Sequence, residues 1–192
     1  MAKKMKQITI ISFVLFGVFA VIYLQTGKCI SGMITFATIT YHFAMRLLVG
    51  EIFDRCMHNR ADYTKKWYQL KEWENRLYKT IKVKKWKAKM PTYQPDLFSP
   101  KKHTWDEVAQ AMCQAELVHE TIIIFSFLPI AASIFLGSFW VFFITSVMAA
   151  GLDTSFVIMQ RYNRPRVVKI ALKERQKQMV MDHEKRNGND KK

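Results

Sequence analysis

Between Glu120 and Asp153 the chain carries no charged side chain. This stretch constrains the fold more than any other feature. A helix needs about 20 residues to cross a bilayer core, so residues 117–159 accommodate two crossings and one tight reversal. Gly137-Ser138 is the natural reversal point, which gives spans near 117–136 and 139–159. A chain that crosses twice returns to the face it left. Glu116, His119 and Glu120 before the hairpin are therefore expected to meet Arg161, Asn163, Arg164 and Arg166 after it, at one membrane face.

The formal charge of +15 on 192 residues would also suit a nucleic-acid binder. Its distribution argues for the bilayer instead, because Lys and Arg lie between long apolar runs. No nucleic-acid partner is expected. Cys29, Cys56 and Cys113 are scattered with no Cys-x-x-Cys pair, which suggests neither a zinc ribbon nor a disulfide framework.

Two further apolar runs precede the hairpin. Residues 8–24 follow a basic start and read as an uncleaved first span, since no convincing small-x-small cleavage site follows them. Residues 30–49 read as a second span, interrupted by His42 and Arg46. Four residues apart, these two share one helix face. Arg46 either snorkels to the headgroups or faces a partner, and His42 is either a satisfied interior histidine or part of a polar site.

Residues 50–115 form a polar connection rich in Lys and Arg, whereas the two outer turns carry only Lys28. The positive-inside rule then places this connection and both termini in the cytoplasm of a multi-pass cell-membrane protein. Within it, Tyr63, Trp67, Leu70, Leu77 and Ile81 follow helical spacing, which predicts an amphipathic helix in the headgroup layer. The basic block from Lys82 to Pro91 attracts anionic lipid, and it also suits a phosphate-bearing acyl donor. Pro91, Pro95 and Pro100 mark a loop, and Thr104 with Glu107 forms a capping box that starts a helix running on into the third span. Pro165 disfavours helix at Arg164 and predicts a backbone turn there. The expected architecture is all-α: an integral membrane domain over residues 1–181 with four spans, then a disordered basic tail over 182–192.

A histidine beside two carboxylates at a membrane edge has the makings of a general base. A carboxylate orients the ring, and the ring takes a proton from a hydroxyl. His119 is the expected base, with Glu116 or Glu120 as its orienting partner. Arg161, Asn163, Arg164 and Arg166 are candidates for substrate binding or for stabilising an oxyanion, with His42 and Arg46 as further binding candidates. Other chemistry uses the same residues. Glu116-x-x-His119 has the spacing of a carboxylate-bridged metal site, but no second copy exists, and no metal is expected. Cys113 with His119 as base would make a nucleophile pair. The arginines would also serve simply as headgroup anchors.

Three segments carry a resemblance. The Lys82–Pro91 block, Ala115-Glu116-Leu117-Val118-His119, and Gln160-Arg161-Tyr162-Asn163-Arg164-Pro165-Arg166, in this order and spacing, resemble the glycosyl-4,4'-diaponeurosporenoate acyltransferase family. The resemblance spans roughly residues 75–170. It implies transfer of a fatty acyl chain to a sugar hydroxyl of a glycosylated carotenoid. Many relatives carry Trp directly after the histidine, where this chain has Glu120, so a lipid-like glycoside of either kind, carotenoid or other glycolipid, is the expected acceptor. Acyl-CoA or acyl-carrier protein is the expected donor, and no bound cofactor is implied.

Overall fold

The computed structural model describes residues 2–91 and 95–189. Helix α1 (Ala2–Thr26) and α2 (Ile30–Met57) form the first hairpin. Its turn uses left-handed backbone at Gly27 and Cys29, both with φ of 67°. The two helices approach closely at Gly32, where an added Cβ would fall 2.5 Å from Phe19 Cδ1. Phe19 instead stacks on Phe36 at 5.3 Å. A small residue at a helix crossing is how membrane helices pack without a hydrophobic drive of their own.

The second hairpin is built from α5 (Trp105–Phe125), α6 (Pro129–Leu136) and α7 (Phe139–Asn189). Helix α5 starts at the capping box read from sequence: Thr104 Oγ1 accepts from the Glu107 N–H, and the Glu107 carboxylate accepts from the Thr104 N–H. The third span bends at residues 126–128, before Pro129. Pro129 has no N–H for the carbonyl four residues back, that of Phe125. That carbonyl instead accepts from the Leu128 N–H at 3.1 Å within the bend and from the Tyr41 hydroxyl of the neighbouring helix at 2.8 Å. The reversal falls at Gly137 and Ser138, whose φ values of 67° and 57° end α6 and start α7.

Four helical stretches are long and apolar enough to cross a membrane. Ile11, Phe13, Leu24, Ile134, Phe135, Trp140 and Met148 stand exposed on them. Such a large apolar exterior suits a lipid-facing surface.

Helix α7 differs from expectation at Pro165. The backbone does not turn at Arg164; α7 passes through Pro165 and continues as one 51-residue helix. A proline inside a helix costs about 3 kcal/mol. Here the helix sets Arg161 and Arg164 three residues apart on one face, and both are clamped against Glu116 of α5. Those buried contacts hold the segment helical. The helix also extends over residues 182–189, where composition points to a disordered tail; residues 190–192 lie outside the described residues.

The connection differs too. No single helix runs from Tyr63 to Ile81. A short 3-10 turn (Lys66–Tyr68) and an extended segment precede α3 (Glu72–Thr80), which is followed by α4 (Val83–Trp86). The reason is electrostatic. Trp67, Tyr68 and Gln69 all turn their carbonyls towards Arg161 and Arg164 of α7, and three successive carbonyls aimed at one pair of side chains do not fit the single axial direction of a helix. Helix α3 keeps the amphipathic character, with Trp73, Leu77 and Ile81 exposed near Arg76 and Lys79. Of the expected proline loop, residues 92–94 lie outside the described residues, and Pro95–Phe98 form a 3-10 turn.

Candidate active site

Antiparallel packing of α5 against α7 sets polar groups in successive rungs. At the end far from the reversal, Asp106 accepts from Tyr63 at 2.7 Å and pairs with Arg175 at 2.6 Å. Between this rung and the next, Tyr63 and Tyr68 of the connection pack on Ala109 and Cys113. Cys113 is fully buried there, as a small apolar-like core residue would be.

The middle rung is centred on Glu116, which has no exposure at all. Arg161 Nη1 donates to its Oε1 at 2.5 Å, and Arg164 Nη1 donates to its Oε2. Arg161 also grips Glu74 of α3 with two parallel bonds, at 2.6 and 3.0 Å. Its remaining N–H groups go to the carbonyls of Trp67 and Gln69. All five guanidinium donors of Arg161 are thereby engaged inside the protein. Arg164 is 2% exposed and adds the Tyr68 carbonyl and the face of the Tyr68 ring, 5.1 Å away. Burial pulls the Glu74 carboxyl upward, but Arg161 and the Lys71 N–H outweigh it and hold its pKa below the usual value. The Tyr68 and Tyr78 phenols are each pushed up to about 12, chiefly by burial. The geometry gives this rung the work of locking the connection onto the hairpin.

The third rung contains His119. Glu116 is committed to the arginines, and the Glu120 carboxylate accepts from Trp67 Nε1 at 3.1 Å. Neither orients the histidine. The partner is Asp153 of α7, whose Oδ1 lies 2.8 Å from His119 Nδ1. Asp153 is 1% exposed. Its other oxygen pairs with Arg46 Nη2 at 2.5 Å. An Asp153 carboxylate held by Arg46 acts as acceptor, so His119 donates through Nδ1–H, and in the neutral tautomer this leaves the lone pair on Nε2. The ring stacks on Phe156 at 4.7 Å. Among the described residues no group hydrogen-bonds Nε2, and the side chain keeps 21% exposure. The arrangement is an imidazole held in one orientation with one ring nitrogen free of protein partners among the described residues.

Arg46 therefore faces a partner inside the bundle. It also donates to the carbonyls of His42 and Ala149. His42 is 6% exposed, and neither ring nitrogen has a hydrogen-bond partner among the described residues. Asn163 and Arg166 lie away from Glu116: Asn163 accepts from the Lys87 ammonium, and Arg166 sits over the Tyr162 ring at 5.0 Å. Glu116 and His119 turn to different neighbours, and among the described residues no group of three or more His, Cys, Asp or Glu side chains is placed to hold a metal ion.

Asp153 is the residue that sequence reasoning missed. It served there only as the end of the uncharged stretch. The available signal was an isolated acid within one apolar helix and an isolated Arg46 within another, since ionisable groups inside spans pair with one another.

A family model described as glycosyl-4,4'-diaponeurosporenoate acyltransferase matches residues 64–173. The match includes Glu116, His119, Asp153, Arg161 and Arg164, while Tyr63, Arg175 and α1 and α2, with Arg46, lie outside it. No curated protein and no solved structure matches the chain.

Proposed function

The chain belongs to the glycosyl-4,4'-diaponeurosporenoate acyltransferase family, and on that premise we propose that it is a membrane O-acyltransferase. It moves a fatty acyl group from a thioester donor onto a hydroxyl of a lipid-like glycoside, a carotenoid glycoside or another glycolipid. The observation that carries this reading is the His119–Asp153 contact, with Nε2 left accessible.

In the proposed reaction, Nε2 takes the proton as the acceptor hydroxyl attacks the thioester carbonyl. The imidazolium that forms is stabilised by Asp153, which Arg46 holds in place. Collapse of the tetrahedral intermediate breaks the carbon–sulfur bond, and the departing thiolate takes the proton back from His119. The products are an ester and a free thiol, and the base is regenerated. The acceptor's apolar tail stays in the bilayer beside the helices. The Lys and Arg of the connection favour a cytoplasmic site and cytoplasmic termini.

The test compares lipid extracts from membranes with the wild-type protein, with His119→Ala and without the protein, in a host that supplies the native lipids. The expected result is a lipid heavier by one acyl chain with wild type alone. Identical lipids in all three, with folded protein present, would overturn the reading in favour of a non-catalytic assembly role.

A further inference from the structure

The motif on α7 divides into two halves. Arg161 and Arg164 are committed to internal carboxylates, whereas Asn163 and Arg166 have none. Lys87 reaches this second half from the connection. Its ammonium donates to Asn163 Oδ1 and stands 4.7 Å from the centre of the Tyr162 ring. Arg166 is 5.0 Å from that ring centre and donates to the Tyr162 hydroxyl at 3.2 Å. Two cations thus converge on one tyrosine, and no carboxylate pairs with either among the described residues. Burial, and then the neighbouring Arg166, hold Lys87 below its usual pKa. Like charges held together in this way favour an anion.

We propose that Lys87, Arg166 and Asn163 form a phosphate site for the phosphopantetheine arm of the thioester donor. Arg offers paired donors to phosphate, Lys a compact charge, and the Asn163 amide a further N–H. The position along α7 fits the donor's length. Phe156, on which His119 stacks, and Asn163 are seven residues apart on one helical stripe. At 1.5 Å per residue, Asn163 and Arg166 lie about 10–15 Å beyond Phe156 along the helix. A phosphopantetheine arm spans a comparable length, so a phosphate held here delivers its thioester to Nε2. This assignment rests on the acyl-transfer reading for its purpose, but its test does not depend on turnover.

Full-length protein in neutral detergent is titrated calorimetrically with coenzyme A and with pantetheine, which lacks the phosphates. Binding to phosphatidylglycerol vesicles is measured in parallel. Coenzyme A is expected to bind more weakly as salt rises, and pantetheine to bind far more weakly than coenzyme A. Lys87→Gln and Arg166→Gln should each weaken coenzyme A about tenfold or more, the scale of a charge-assisted hydrogen bond, while Lys87→Arg retains most of the affinity. Thermal melting confirms that each variant is folded. Equal binding of coenzyme A by wild type and both Gln variants would overturn the proposal. So would loss of only the vesicle binding in those variants, which would assign the cations to lipid headgroups. Coenzyme A binding without any turnover would instead sink the acyl-transfer reading and leave the site standing.

Discussion

His119 Nδ1 and Asp153 Oδ1 lie 2.8 Å apart, 34 residues distant in sequence, across the α5–α7 interface. The contact depends on a third helix, because Arg46 of α2 holds the other Asp153 oxygen at 2.5 Å. The N-terminal hairpin therefore contributes to the arrangement around His119, although the family match begins only at residue 64.

Glu116 binds two guanidinium groups with no exposure to solvent. Removing one partner of such a cluster leaves buried charge uncompensated, at a cost of about 3–5 kcal/mol. Glu116→Gln is expected to lower the melting temperature of detergent-solubilised protein markedly. An unchanged melting curve would show that the arginines find other partners.

Glu74 gives the fold an acid-labile joint. Its folded-state pKa lies below the ordinary value of 4.5. Such a group contributes stability that is present above the unfolded pKa and is lost as pH falls through the folded one. Melting temperature should therefore drop below about pH 4.5, and Glu74→Gln should reduce that drop. Equal acid sensitivity in both proteins would place the titration elsewhere.

His42 is buried, and neither ring nitrogen has a hydrogen-bond partner among the described residues. Replacing a buried polar group that lacks partners by an apolar one of similar size is nearly neutral or stabilising. His42→Leu is expected to melt at or above the wild-type temperature. A clear loss of stability would mean that the ring makes a polar contact essential to the bundle.

The proposed topology is tested with thiol reagents, since Cys29 and Cys56 are both exposed. A membrane-impermeant reagent applied to intact cells should label Cys29 and leave Cys56 unmodified. The reverse pattern would invert the topology and move the His119 site to the outer face.

The hairpin was legible in sequence because lipid allows few alternatives. An uncharged run bounded by Glu120 and Asp153, with Gly-Ser at its centre, leaves little freedom in where the chain crosses and reverses. The Thr104–Glu107 cap was legible because it is local. The meeting of Glu116 with Arg161 and Arg164 also followed from the two crossings. Pairing within that face did not. Helical spacing places Glu116 and Glu120 near His119, but which side chain faces which neighbour depends on rotation about the helix axis, and that is set by tertiary packing. Pro165 and the Trp67–Gln69 segment show the same limit. Local propensity gave a turn in one and a helix in the other, and in both the arginine contacts to Glu116 and to backbone carbonyls prevailed.

The most direct test of the central claim is the rate of acyl transfer by purified Asp153→Asn, normalised to folded protein, with an acyl thioester and a glycolipid acceptor on which the wild type is active. If Asp153 orients His119 as the base, the rate is expected to fall by about 10²–10⁴-fold, the range associated with general-base catalysis. A folded Asp153→Asn protein that turns over at the wild-type rate would contradict the assignment.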